Sequence, residues 1–176
     1  MFGGKLMELV LIGFMGSGKT TISQLLAQKK HKQVLDLDQE IISREGRSIN
    51  EIFAKEGEDY FRNVEHEVLV EVLANDDAIL ATGGGTPLRD DNASFLKASC
   101  APVILLSASP EVTYARLKGD NTRPLANQLN VSELSAIKAK REGRYNDCAD
   151  FEVVTDDLSP AEVVAEIEEF LATWSN

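Results

Sequence analysis

Short apolar runs recur along the chain at 8–12, 34–37, 78–82, 102–107 and 151–154, and segments with helical spacing of apolar positions fill most of the intervals. Runs of that length, bounded by polar or glycine-rich turns, predict strands buried on both faces. Their alternation with helices predicts βαβ units, hence a mostly parallel sheet with helices on both faces and ligands at the carboxyl ends of its strands. Between the second and third strands there is room for two or three helices, where a simple crossover needs one. Ser48-Ile49-Asn50-Glu51 has the pattern of a capping box ahead of Ile52 and Phe53, which predicts a short helix over 48–55 that Gly57 ends. A longer helix follows, with Phe61, Val64, Val68 and Val72 near helical spacing. Further on, Pro110 opens a helix over 110–117, and a basic helix covers 132–145. A last amphipathic helix starts near Ser159 and Pro160 and carries Val163, Ile167, Phe170 and Leu171, with Trp174 packing at its end.

Candidate chemistry gathers where strands end. Gly13 to Thr20 matches G-x-x-x-x-G-K-S/T, directly after Leu9 to Ile12 and directly before the helix-like Thr21 to Ala27. Strand, loop and helix in that order are the context in which this pattern binds nucleotide phosphate. The glycines let the backbone curl so that its N–H groups point inward, Lys19 adds a cation for the outer phosphates, and Thr20 offers a hydroxyl to magnesium. The start of the helix adds a partial positive charge.

Leu35-Asp36-Leu37-Asp38 closes the second strand with two carboxylates. In an extended chain they face opposite sides and take different jobs, one in a metal shell or as proton acceptor and the other on a substrate hydroxyl. Equally, the pair is a solvated strand end in which Asp38 caps a helix starting at Gln39. Arg62 and Glu65, three apart on one helix face, are either a surface ion pair worth under about 1 kcal/mol or part of a pocket that the inserted helices build over the sheet edge. Gly83, Gly84 and Gly85 follow the third strand, which suits close backbone approach to a ligand, with a flexible turn as the alternative. The polar stretch from Lys118 to Leu125, with Arg116, Lys118 and Arg123 about it, is either a lid that brings arginines to phosphates or an ordinary surface loop.

Composition narrows the partners. A chain of 176 residues suits one domain with a sizeable core, and its net charge of -11 repels nucleic acid, so an anionic ligand must be held by local basic residues. No apolar run approaches the roughly 20 residues of a membrane span, so no membrane partner is expected. Cys100 and Cys148, far apart and without metal-ligand spacing, predict reduced core thiols in a cytoplasmic setting.

Taken together, these residues resemble the shikimate kinase family over nearly the whole chain, from about Glu8 to Leu171. The family's phosphate loop is matched by Gly13 to Thr20, its D-x-D by Asp36 and Asp38, its F-R-x-x-E by Phe61, Arg62 and Glu65, and its G-G-G by Gly83, Gly84 and Gly85. Its R-P-L lid motif is matched by Arg123, Pro124 and Leu125, with Arg116 at the upstream arginine position. Arg141, four residues before Tyr145, resembles the family's late substrate arginine. The family usually places a proline between the two, whereas here Gly143 and a second arginine, Arg144, intervene; spacing favours Arg141.

The resemblance implies a phosphate-loop three-layer α/β fold with a five-stranded parallel sheet in the order 2-3-1-4-5. It also implies one kinase domain over 1–176, with a substrate-binding helical insertion at about 38–66 and a lid at about 116–130, active as a monomer. The implied reaction is ATP-dependent, magnesium-assisted phosphorylation of the 3-hydroxyl of shikimate. Gly13, Gly16, Ser17, Gly18, Lys19, Thr20, Thr21, Arg116 and Arg123 would bind ATP, and Thr20 and Asp36 would serve the magnesium ion. Asp38, Arg62, Glu65, Gly83, Gly84, Gly85 and Arg141 would bind substrate, the arginines Arg62 and Arg141 on its carboxylate, Asp38 on its hydroxyls, and Glu65 orienting Arg62. Catalysis would rest on Lys19, Asp36, Asp38 and Arg123, and Thr155 to Pro160 would wall the adenine. Two assignments compete: a gluconate kinase sharing loop and lid, and a nucleotide-dependent switch module that has lost catalysis. The D-x-D, F-R-x-x-E and G-G-G combination argues against the first. The retained acceptor residues, and the lack of a guanine-reading N-K-x-D, argue against the second.

Overall fold

The computed structural model describes residues 7–74, 77–118 and 128–174. Strands β1 (Leu9–Ile12), β2 (Gln33–Asp36), β3 (Ala78–Ala81), β4 (Val103–Ser107) and β5 (Phe151–Val154) pair in parallel in the order β2-β3-β1-β4-β5, as expected. Val10 on β1 lies opposite Leu80 on one side and Val103 on the other. The helices are α1 (Lys19–Lys30), α2 (Leu37–Glu45), α3 (Ile49–Glu56), α4 (Glu58–Leu73), α5 (Asp90–Ala98), α6 (Pro110–Leu117), α7 (Val131–Cys148) and α8 (Pro160–Thr173), with a short 3-10 turn at Thr86–Leu88.

Alternation along the strands divides the core into two layers. Leu9 and Leu11 point to one face and pack with Ile22 and Leu26 of α1 and Val163 and Ile167 of α8. Val10 and Ile12 point to the other, into a larger cluster with Ile41, Val68, Leu69, Leu96 and Leu134. Burying one such side chain fully is worth about 1.5–3 kcal/mol, so both layers hold the sheet that carries the site. At the sheet edge only one face of β5 is covered: Val153 is buried and Val154 is exposed.

Three helices, α2 to α4, fill the interval after β2, and Ser48 and Glu51 form the expected capping box on α3. Helix α5 has no counterpart in the sequence prediction. Its inward positions are Asn92, Ala93 and Leu96, so a buried polar residue interrupts an already thin apolar stripe. Cys148 is buried as expected, but Cys100 is exposed, because it sits in the turn between α5 and β4 rather than in either element. Phe170 and Trp174 meet at 5.4 Å between ring centroids at the end of α8. Among the described residues no helix is long and apolar enough to cross a membrane.

Candidate active site

The sheet delivers its loops to one end. Gly13 leaves β1 with φ of 148°, and a Cβ there would stand 2.3 Å from the Leu106 carbonyl oxygen, so only glycine fits. Helix α1 then starts at Gly18, which has no side chain to cap it, and carries no acidic residue in its first turn. By contrast α2, α3, α7 and α8 are capped by Asp36, Ser48, Asn130 and Ser159. The amide groups at the start of α1 are therefore left for an anion. Lys19 is buried, and its ammonium donates to the carbonyls of Gly13 at 2.7 Å and Phe14 at 3.0 Å, which holds a cation inside the curl of the loop.

A cavity of about 440 Å³ opens in front of that loop, lined by Gly16 to Ile22, Asp36, Asp38, Thr82, Gly83, Gly84, Arg116, Thr155, Leu158 and Pro160. Arg116 spans its mouth, donating to Gly16 O at 3.1 Å, Thr155 Oγ1 at 3.1 Å and Thr155 O at 3.3 Å. The phosphate loop is thereby tied to the end of β5.

Asp36 and Asp38 do not face opposite sides. Asp36 is the last residue of β2, and its Oδ1 accepts from the Gln39 amide at 3.2 Å as the cap of α2, a role the sequence offered to Asp38. Leu37 already opens the helix, so Asp38 lies in its first turn and both carboxylates line the same cavity. The strand alternation fails because the strand ends one residue earlier than the apolar run.

Across the triple glycine lies a second cavity of about 610 Å³, lined by Glu58, Asp59, Arg62, Asn63, Gly85, Leu88, Arg89 and Arg141. Arg62 Nη1 donates to Glu65 Oε2 at 2.8 Å, and Glu65 is only 1% exposed, so this is not a surface ion pair. The glycines do serve close approach, but to the protein's own side chains: a Cβ on Gly83 would stand 3.1 Å from Asp38 Oδ1, and one on Gly85 2.6 Å from Arg62 Nη2. Arg141 lies over the Phe14 ring at 5.6 Å and lines the cavity, whereas Arg144 donates to Asp90 at 2.5 Å.

Tyr145, one turn after Arg141, donates its hydroxyl to Gly84 O at 2.6 Å. Burial pushes its phenol pKa up, against the opposing pull of the Arg141 cation. One wall residue the motifs do not single out is Arg89, which donates to Arg62 O at 2.9 Å and Asn63 Oδ1 at 2.7 Å. The sequence reading missed it; a basic residue so soon after a glycine run at a strand end is the signal that could have found it. Arg123, Pro124 and Leu125 lie outside the described residues, as does most of the expected lid at 116–130.

A parallel sheet in this order, with a G-x-x-x-x-G-K-S/T loop on its central strand facing an arginine-lined cavity, defines a phosphate-loop kinase. The family model for shikimate kinase matches residues 15–172, and a shikimate kinase of Limosilactobacillus fermentum is 47% identical over 165 residues, 94% of this chain and 95% of that relative. The chain belongs to the shikimate kinase family. Among solved structures, shikimate kinase from Acinetobacter baumannii in complex with shikimate matches with a TM-score of 0.87 at 32% identity, covering 96% of this chain and 94% of that one. A gluconokinase from Sinorhizobium meliloti matches with a TM-score of 0.61 at 17% identity, covering 96% of this chain and 93% of that one, and so shares the fold.

Proposed function

We propose that this protein transfers the γ-phosphoryl group of ATP to the 3-hydroxyl of shikimate, as a cytoplasmic monomer, in the supply of aromatic amino acids. The observation that carries this is a shared wall. Gly83 and Gly84 line the phosphate-loop cavity, Gly85 lines the arginine cavity, and Asp38 stands on the loop side of that wall. A donor phosphate and a carboxylated acceptor bound in these cavities would meet at the triple glycine.

Each residue then has a task. Amide groups of Gly16, Ser17, Gly18, Thr20 and Thr21 bind the phosphates, with Lys19 on the transferred group and Gly13 shaping the loop. Thr155, Leu158 and Pro160 wall the base beside Arg116. Thr20 and Asp36 would hold magnesium: one hydroxyl and one carboxylate on the cavity wall, with the remaining positions left to phosphate oxygens and water, suit that ion. No cluster of three or more His, Cys, Asp or Glu side chains exists among the described residues to favour a metal caged by protein alone. When bound, the ion neutralises charge on the phosphate oxygens. Asp38 positions the attacking hydroxyl and accepts its proton. Arg62 and Arg141 hold the acceptor carboxylate, which a guanidinium fork matches in plane and charge, and Glu65 sets the plane of Arg62. By motif, Arg123 joins Lys19, and the segment at about 116–130 closes over the nucleotide. Residues from about 38 to 66 form the acceptor-binding part of a single kinase domain.

The test is ADP release with ATP and magnesium against shikimate, gluconate, nucleoside monophosphates and no acceptor. Turnover is expected with shikimate alone. Turnover with gluconate alone, or none with any acceptor, overturns the assignment.

A further inference from the structure

The guanidinium of Arg62 is the end of a longer chain of hydrogen bonds. Glu65 Oε2 accepts from Arg62, while its Oε1 accepts from the Thr86 hydroxyl at 2.8 Å. The Thr86 carbonyl in turn accepts from Asn92 Nδ2 at 3.0 Å, and Asn92 Oδ1 meets His66 Nδ1 at 2.7 Å. Every direction in this series is fixed. A carbonyl only accepts, so the Asn92 amide must present its nitrogen to Thr86 and its oxygen to His66, and His66 Nδ1 must carry the proton. A carboxylate only accepts as well, so the Thr86 hydroxyl donates to Glu65.

The series starts and ends on α4, since His66 and Glu65 are neighbours in sequence. In between it passes through α5 and the 3-10 turn that follows the triple glycine. Thr86 and Asn92 are fully buried and Glu65 is 1% exposed, so no water replaces a lost partner without rearrangement. A carboxylate with one oxygen on a hydroxyl and the other on a guanidinium cannot rotate without breaking one of the two bonds.

Arg62 Nε also lies 3.5 Å from the exposed Glu58, a looser contact than the one to buried Glu65. We propose that Thr86 and Asn92 are positioning residues for the acceptor: they lock Glu65, and with it the plane of the Arg62 guanidinium, so that Arg62 meets a substrate carboxylate at a fixed distance from the glycine wall. This rests on the assignment of Arg62 to the acceptor carboxylate. Specificity for a carboxylated acceptor then depends on a threonine that touches neither substrate nor nucleotide.

Two measurements test it. In steady-state kinetics Thr86→Val, which keeps the side-chain shape and removes the hydroxyl, is expected to raise the shikimate KM by about tenfold, the equivalent of one hydrogen bond to a charged group. The ATP KM and kcat should stay within about twofold, and Thr86→Ser should restore the wild-type KM. A fall in kcat with both KM values unchanged would overturn the proposal, as would failure of serine to rescue. In the ligand-free protein, ¹⁵N NMR of the Arg62 guanidinium should show slow rotation about Cζ–Nε in wild type and Thr86→Ser, and fast rotation in Thr86→Val. Equal rotation in all three overturns the relay whatever the acceptor. A wild type that ignores shikimate while the rotation differs as expected overturns the acceptor assignment and leaves the relay standing.

Discussion

A Cβ on Gly85 would lie 2.6 Å from Nη2 and 2.7 Å from Nη1 of Arg62, so the backbone of the glycine run and the arginine head share one space. Real Cβ contacts do not come that close, and the obstacle is a side chain held from behind by Glu65. Gly85→Ala must therefore displace the Arg62 head from the position in which Glu65 holds it. The expected result is a rise in shikimate KM of about tenfold to a hundredfold, from one lost or misplaced charge-assisted hydrogen bond, with the ATP KM little changed. Initial rates at varied shikimate and fixed ATP read this directly. An unaltered shikimate KM would remove Arg62 from the acceptor site.

Two arginines one turn apart on α7 separate cleanly by their surroundings. Arg141 lines the cavity beside Arg62, while Arg144 is held by Asp90, which is itself 89% exposed. An exposed pair of that kind contributes little to stability. Calorimetric titration of shikimate is expected to show binding weakened at least tenfold in Arg141→Ala and changed less than about twofold in Arg144→Ala. The opposite ranking would reassign the carboxylate grip to Arg144.

The frame of this molecule was readable because its central strands are buried on both faces. β1, β3 and β4 carry unbroken apolar runs, and the loop after β1 has a pattern that chemistry constrains tightly. What stayed ambiguous shares a cause: it depends on which side chains meet across elements. No spacing rule reveals that Glu65 is buried, because its burial comes from Thr86 and the glycine turn packing over α4. Likewise Asp36 and Asp38 read as a strand pair, since nothing local says that Leu37 already belongs to a helix. Helix α5 stayed hidden because Asn92, which faces inward, is polar and finds its partners on two other elements.

Tyr145 pins α7 to the glycine wall through its 2.6 Å bond to Gly84 O. Tyr145→Phe keeps the ring and loses that bond, which should cost about 1 kcal/mol of stability at neutral pH. The phenol pKa in the folded protein is raised by burial, so the fold favours the neutral form. This stabilisation is complete below the ordinary phenol value near 10 and is lost as pH rises through the higher folded value. Urea unfolding followed by circular dichroism should show wild type more stable at pH 7 and the two proteins converging in the alkaline range. A constant gap between them across that range would mean that the hydroxyl is not held as described.

The two carboxylates after β2 should fail in different ways, although they share a cavity. Asp36 caps α2, so Asp36→Asn keeps a capping oxygen and leaves the helix in place. What it removes is the negative charge proposed for magnesium, and raised magnesium should recover part of its lost activity. Asp38 lies in the first turn of α2 rather than at its cap, and a Cβ on Gly83 would stand 3.1 Å from its Oδ1, which places it against the glycine wall where the acceptor hydroxyl is proposed to lie. Asp38→Asn retains the shape and one acceptor oxygen but cannot take a proton. A loss of about 10²–10⁴ in kcat is expected, the usual weight of a positioned general base, with ATP affinity nearly intact. Stopped-assay kcat values and nucleotide titrations on both variants decide the matter. If magnesium rescues Asp38→Asn and not Asp36→Asn, the two roles are exchanged; if Asp38→Asn turns over at the wild-type rate, the hydroxyl needs no base from this chain.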